Sequence, residues 1–293
     1  MSMPIPPPMG GYNNYSTPLK KQLIALDQSQ VWIVVDFSNI AWQSLFASGV
    51  KDVKQVMDSY DGHHPVFLDK MTQTIREVGQ MTNSLIFALD SFPKFKLDID
   101  PEYKQNREPV KFNPKKGLLD VFASQYSFYT AKVVEQEADD VMASIVKLHP
   151  DKNIIVVTSD RDLWQLLELP NCNIFDPLKR EYVTKDMLVE KFKLEKFGHI
   201  AIHKALWGDR GDNVPNAFPR TQRYALPILN EMQEMSLATF FRKFESEIPN
   251  MSKAKKTREG ILQRLKEAKD RIVTNYSIVT LNKELDIAFE EYI

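Results

Sequence analysis

Three short apolar stretches of this chain each end at an aspartate. VWIVVD stops at Asp36, SLIFALD at Asp90 and NIIVVTSD at Asp160, with Asp162 two residues further on. Short β-branched runs of this kind read as strands buried on both faces, the signature of a parallel sheet covered by helices. In such an open α/β sheet the functional crevice lies outside the carboxyl ends of the strands. Acids delivered by three strands to one edge repel one another, so they shift their pKa values or hold a cation. The pattern predicts a divalent-metal site.

Composition narrows the surroundings of that site. Apolar residues make up 43% of 293, enough for a real core in one large domain or two modest ones. No stretch approaches a membrane span and no charged-then-apolar leader is seen, so the expectation is a cytoplasmic protein without a membrane partner. One cysteine, Cys172, excludes an internal disulfide framework and offers no zinc ligand set. Net charge is −1, but its distribution is uneven. Residues 251–274 hold eight basic side chains against three acids, and residues 94–116 seven against four. Basic patches beside an acidic crevice fit a polyanion whose reacting phosphate meets bound cations.

Residues 1–28, rich in Pro, Gly and Asn, read as a disordered arm. Residues 29–183 then alternate strand and helix. Strands are expected over 31–36, 84–89, 127–134, 153–158 and 172–175, and helices near 38–48, 66–81, 117–125, 138–148 and 161–168. The basic segment before 117 reads as irregular. Such alternation predicts right-handed crossovers and a mostly parallel central sheet with flanking helices, an α/β fold. From about Thr184 to 293 helical patterns dominate, apart from a possible strand at Ser277–Leu281.

The densest chemistry is EQEADDV, opening a helix. Glu137 and Asp140, three residues apart, share nearly one face, and Glu137 lies close to the inward stripe begun by Val141. Asp139 can be explained as an acid complementing the helix dipole; an inward glutamate cannot. Asp160 and Asp162 project the same way if extended, although Ser159 or Asp160 could instead cap the following helix. ALWGDRGDN sets Asp209 and Asp212 just past a glycine suited to ending a helix. Nine acids from five segments, without His or Cys, favour magnesium or manganese over zinc. The matching chemistry is two-metal phosphoryl transfer.

The order of strand-Asp36, strand-Asp90, PEYKQNR, EADD, TSDRD and GDRGDNVP resembles the flap endonuclease and 5′-nuclease superfamily with its PIN-like core. VDFSNIA, NREP and LPNCNIFDPLKREYV make phage ribonuclease H, a primer-removing nuclease, the nearest likeness. The resemblance implies two magnesium ions, with manganese able to substitute. Asp36, Asp90, Glu137 and Asp139 would surround the first; Asp160, Asp162, Asp209 and Asp212 would gather at the second, with Asp140 supporting. It implies that Lys104 and Arg107 approach the scissile phosphate, that Tyr103 stacks the terminal base, and that Lys115 and Lys116 contact DNA. The helical C-terminal region would carry a degenerate helix-hairpin-helix-like DNA-binding motif.

Two features depart from that pattern. NAFPRTQRYA lacks the glycines of a phosphate-binding hairpin, so Arg220, Arg223, Lys255, Lys256 and Arg258 are expected to hold the duplex through side chains. Only 29 residues separate Arg107 from Glu137, which predicts a short or open arch. The function so implied is a 5′-3′ exonuclease or flap endonuclease of DNA replication or repair. Its substrates would be DNA and RNA–DNA hybrids with 5′ ends or flaps, and its partners a sliding clamp or single-strand-binding protein. The rivals are a PIN-type ribonuclease, disfavoured by the presence of GDRGDNVP, and a non-catalytic junction-binding factor, disfavoured by the intact acids.

Overall fold

The computed structural model describes residues 31–47, 64–78, 84–107, 115 and 117–292. The arm expected over 1–28 and Lys116 therefore lie outside the described residues. Seven described strands form one sheet: β1 (Val31–Asp36), β2 (Leu85–Ala88), β3 (Phe128–Ala131), β4 (Asn153–Val157), β5 (Cys172–Asp176), β6 (Glu181–Tyr182) and β7 (Phe289–Tyr292). Their order is β6-β5-β4-β1-β2-β3-β7. The five inner strands pair in parallel. Only the two edge strands, β6 and β7, run antiparallel to their neighbours.

Helices cover both faces: α1 (Phe37–Ala47), α2 (His64–Glu77), α3 (Lys94–Ile99), α4 (Leu118–Ala123), α5 (Ala138–Leu148), α6 (Lys185–Phe192), α7 (Ile200–Trp207), α8 (Gln222–Glu231), α9 (Leu237–Glu247) and α10 (Lys255–Val279). Strand alternation assigns side chains to each face. Ile33, Val35, Leu85, Phe87, Ile155 and Val157 pack with α1, α2 and α4. Phe37, Phe67, Phe87, Phe122 and Phe128 meet there edge-on, Phe87 and Phe128 at 5.0 Å between ring centroids. Each such pair contributes about 0.5–1.5 kcal/mol beyond the area it buries. Val34, Ile86, Ala88, Ile154 and Val156 face the other way, into a core shared with α5 through α10.

That second core runs unbroken from the sheet into the helical region, across the boundary expected at 183/184. Asn275 of α10 pins the two parts, its Nδ2 donating to the carbonyls of Ala205 (3.0 Å) and Pro215 (2.8 Å). After α10 the chain crosses α5, where the Asn282 amide donates to Asp140 and the Leu285 amide to Ser144, before β7 joins β3. The strand expected at Ser277–Leu281 is instead the end of α10 and the start of this crossing; the returning strand is Phe289–Tyr292. Apolar β-branched residues there bury equally well on a helix, so local pattern did not decide. Two further expectations change. The segment after Pro93 contains α3, and the helix at 161–168 is a 3-10 helix, Asp162–Glu168. Among the described residues no helix is long and apolar enough to cross a membrane.

Candidate active site

β4, β1 and β2 are adjacent and parallel, so their carboxyl ends share one edge. Asp36 closes β1, Asp90 follows β2 and Asp160 follows β4. Each is held by the element beside it. Asp36 accepts from the Asn39 amide (3.0 Å) and the Thr158 hydroxyl (2.9 Å). Asp90 accepts from the Ala138 amide (3.0 Å), from Lys115 Nζ (3.1 Å) and from the Ser38 hydroxyl. It thus caps the positive end of α5, a favourable place for an anion. Burial would raise its pKa, but Lys115, Ser38 and that amide outweigh burial and hold it below the ordinary range.

Asp36, Asp139 and Asp160 behave differently. Burial, then the charges of Asp90 and Asp160, push Asp36 up to about 7. Burial, then Asp160 and Asp36, raise Asp139 well above the ordinary carboxylate range. Asp160 is raised by burial, against the pull of Lys204. None of the described ion pairs involves any of the three. Three crowded carboxylates, none of them in a described ion pair and all hard oxygen donors, fit a divalent cation of the magnesium type.

The second group is Asp162, Asp209 and Asp212, each offering an oxygen within 4.8 Å of the others. Here a cation is already built in. Lys204 of α7 reaches Asp209 (2.5 Å) and Asp162. Its ammonium outweighs burial and keeps the Asp209 pKa low. The hairpin carrying Asp209 and Asp212 starts at Gly208, where φ is +79° and a Cβ would meet the Val214 carbonyl at 2.5 Å. Asp209 and Val214 exchange backbone bonds of 2.9 and 2.8 Å across it.

Onto this hairpin docks the PEYKQNR turn. The Lys104 amide donates to the Asp212 carbonyl (3.0 Å), Asn106 to the Arg210 carbonyl (2.9 Å) and Asn213 to the Glu102 carbonyl (2.8 Å). Lys104 and Asn213 both adopt φ of 58°, a left-handed conformation retained only where surroundings enforce it. Arg107, 56% exposed, bonds Asp212 at 2.5 Å, and Lys104, 18% exposed, bonds Glu137. A crevice of about 460 Å³ lies here, lined by Arg107, Asp160, Asp162, Lys204, Asp209 and Asp212.

Glu137 is buried as expected, but as the extended N-cap of α5 and not as a residue on the helical face. Burial opposes its charge, but Lys96 and Lys104 prevail and hold its pKa at about 2. Asp140 meets the same lysine, Lys96, at 3.1 Å. Its other oxygen accepts from the Asn282 amide (2.8 Å), so its support is structural. Tyr103 corrects an expectation. Its ring is 5% exposed and its hydroxyl donates to Glu137 (2.9 Å), so it buttresses an acid and presents no face for a base. Lys115 pairs with Asp90 at 3.1 Å. Arg220 and Arg223 are exposed between α7 and α8 or on α8, Arg223 lying over Tyr224 at 4.7 Å. Lys255 and Lys256 project at the start of α10, while Arg258 donates to the Met251 carbonyl (3.1 Å).

Sequence reasoning missed Lys96, Lys204, Ser38 and Thr158. A signal existed for Lys204 alone: IAIHKALW is otherwise apolar, and a lysine inside such a helix must find an anion.

The family model for the 5′-3′ exonuclease N-terminal resolvase-like domain matches residues 31–193. A 5′-3′ exonuclease of Mycoplasmopsis pulmonis is 29% identical over 198 residues, 66% of this chain and 63% of that protein. One of Aquifex aeolicus is 28% identical over 214 residues, 71% and 68% of the two chains. The chain thus spans just under two thirds of the first relative's length. In fold it is similar to the phage T5 D15 flap endonuclease, whose structure is a pseudo-enzyme-product complex with DNA and metal ions. The TM-score is 0.61 at 19% identity, covering 86% of this chain and 89% of that one. With its motif order, sheet and acid-lined crevice, the chain belongs to the 5′-3′ exonuclease family.

Proposed function

We propose that this chain is a magnesium-dependent 5′ nuclease that hydrolyses phosphodiesters at 5′ ends and at junctions between single and double strands. The observation that carries this reading is the convergence of Asp36, Asp139 and Asp160 at one sheet edge, where burial and mutual repulsion raise their pKa values, with Lys104 and Arg107 beside them. The T5 flap endonuclease, similar in fold, is seen with DNA and metal ions.

In this reading Asp160, expected at the second ion, joins Asp36, Asp90 and Asp139 at the first because it lies close enough to raise both Asp36 and Asp139, with Glu137 beside it. Asp162, Asp209 and Asp212 hold a second in competition with Lys204. Bound divalent ions at such sites activate water and neutralise charge on the leaving oxygen. The protein's own part is electrostatic. Lys104, held on its strained turn, exchanges Glu137 for the scissile phosphate, and Arg107 leaves Asp212 to do the same. Both then stabilise charge that grows on the phosphate in the transition state. Arg220 on the α7–α8 connection and Arg223 on α8, with Lys255 and Lys256 on α10, anchor the duplex flank. RNA–DNA hybrids fit as substrates because such contacts go to the backbone and not to the sugar, consistent with a role in primer removal during replication or repair.

The test is digestion of 5′-labelled flap, nicked-duplex and RNA–DNA substrates with magnesium, with manganese and with chelator. Cleavage releasing 5′-phosphorylated products only with metal is expected. Tight binding to the same substrates without cleavage would make the chain a junction-binding factor and overturn the proposal.

A further inference from the structure

Lys96 is the buried charge of α3, its side chain 7% exposed, and it lies between two acids of α5. Its Nζ is 2.7 Å from Glu137 Oε2 and 3.1 Å from Asp140 Oδ2. The Tyr103 hydroxyl takes the same Glu137 oxygen at 2.9 Å. Oε2 is therefore occupied from the buried side by two donors. Oε1 alone is left to Lys104, the more open of the two lysines at 18% exposed. Lys96 is too enclosed to reach a phosphate.

The cluster is also wired outward. The second oxygen of Asp140 accepts from the Asn282 amide, on the segment that follows α10. Asp100, whose amide closes α3 on the Lys96 carbonyl, binds Arg271 of α10 at 2.7 Å. Helix α3 is thus clamped to α5 on one side and to α10 on the other.

Resting on the nuclease reading above, we propose that Lys96 is a positioning residue: it fixes Glu137 with a single oxygen turned to Lys104 and ties that orientation to the C-terminal segment. Without the ammonium, Glu137 would keep Lys104 and Tyr103 and Asp140 the Asn282 amide, but the two buried carboxylates would lose the one cation they share. Glu137 would then lose its fixed orientation, which disturbs the donor set of Asp36, Asp139 and Asp160 beside it. Partners that orient a ligating carboxylate matter nearly as much as the ligand itself.

The test compares wild type with Lys96→Met, K96R, E137Q and K96M/E137Q. Two readouts are used: single-turnover cleavage of a 5′-labelled flap with magnesium, and manganese binding to the protein alone, followed by paramagnetic resonance. K96M is expected to slow cleavage and weaken manganese binding by about 10- to 100-fold, the usual cost of losing such a partner. Duplex affinity measured with calcium stays unchanged, and K96R recovers most of both losses. Because Lys96 acts through Glu137, K96M/E137Q is no slower than E137Q. Wild-type values in K96M, or losses that simply add in the double variant, overturn the proposal. Should K96M not fold, K96Q/D140N removes one buried charge of each sign and is read in the same two assays; wild-type values there overturn it equally. A wild-type protein that fails to cleave defeats the nuclease reading, while manganese binding still decides the role of Lys96.

Discussion

Asp36, Asp139 and Asp160 crowd the sheet edge with no described ion-pair partner, whereas Asp162, Asp209 and Asp212 hold Lys204 and Arg107. The side chains are the same in both groups. What differs is their origin: the first comes from strand ends and the start of α5, where neighbouring elements supply amides and hydroxyls while Lys104 and Lys204 act on Asp139 and Asp160 without a described ion pair. The second sits over α7, whose buried lysine points into it. The first group is left with unspent negative charge and raised pKa values, the second is largely neutralised before any metal arrives. The difference teaches that a count of acids does not measure a site's appetite for cations; their counter-charges do.

The largest effect that can break this comparison is loss of a first-group acid. Asp139→Asn or Asp160→Asn is expected to reduce cleavage to background while leaving DNA binding intact or tighter, whereas Asp162→Asn leaves measurable activity. Equal loss in all three, measured in single turnover, would show that the two groups are not unequal. Next come Lys104→Ala and Arg107→Ala, each expected to slow bound-state cleavage by roughly 10²-fold, the scale for one preorganised electrostatic stabiliser. A loss confined to affinity would make them anchors.

Lys204→Met addresses the second group directly. Removing the built-in competitor should tighten the weaker step of a calorimetric manganese titration by about tenfold, or about 1.4 kcal/mol. An unchanged second step would mean that Lys204 and the ion do not share the site.

Smaller still is the pH dependence of the metal-free protein. Asp36, Asp139 and Asp160 have folded pKa values above their unfolded ones, so the folded state binds the extra protons. Their contribution is present in acid and is lost as pH rises from the ordinary carboxylate range through about 7, the value for Asp36. Glu137, held at about 2, acts in the opposite sense but only at lower pH. The melting temperature without metal should therefore fall by roughly 5–10 °C between about pH 5.5 and about pH 8, and magnesium should reverse the fall. A metal-free melt that rises or stays level across that range would contradict the crowding of the first group. The least effect is expected of Arg220→Ala/Arg223→Ala, which should weaken duplex binding and flatten its logarithmic salt slope by up to about two units. An unchanged slope would make both arginines solvent-facing decoration.

Much of this was readable residue by residue. Strand β1 and helix α5 fall on their expected spans because each carries a strong local period, and Gly208 ends α7 as its position before the aspartates suggested. Tyr103 was misjudged because an aromatic beside two basic residues looks the same whether it stacks a base or supports a carboxylate. Only the packing that buries its ring separates the two. The six-residue α3 escaped notice because so short a helix shows little periodicity, and Lys96 within it read as one more solvated cation.

By itself the sequence determined the alternating architecture, the family and the acids that gather at the sheet edge. Apolar period and strand direction are local properties, and parallel pairing carries every strand's carboxyl end to the same side. Tertiary structure decided which cations stand among those acids, and that the C-terminal segment returns to brace α5 and close the sheet with β7. Those outcomes depend on Lys96, Lys204 and Asn282 meeting partners 41, 42 and 142 residues away, at Glu137, Asp162 and Asp140. A separation of that length is bridged by folding, and no local pattern records it.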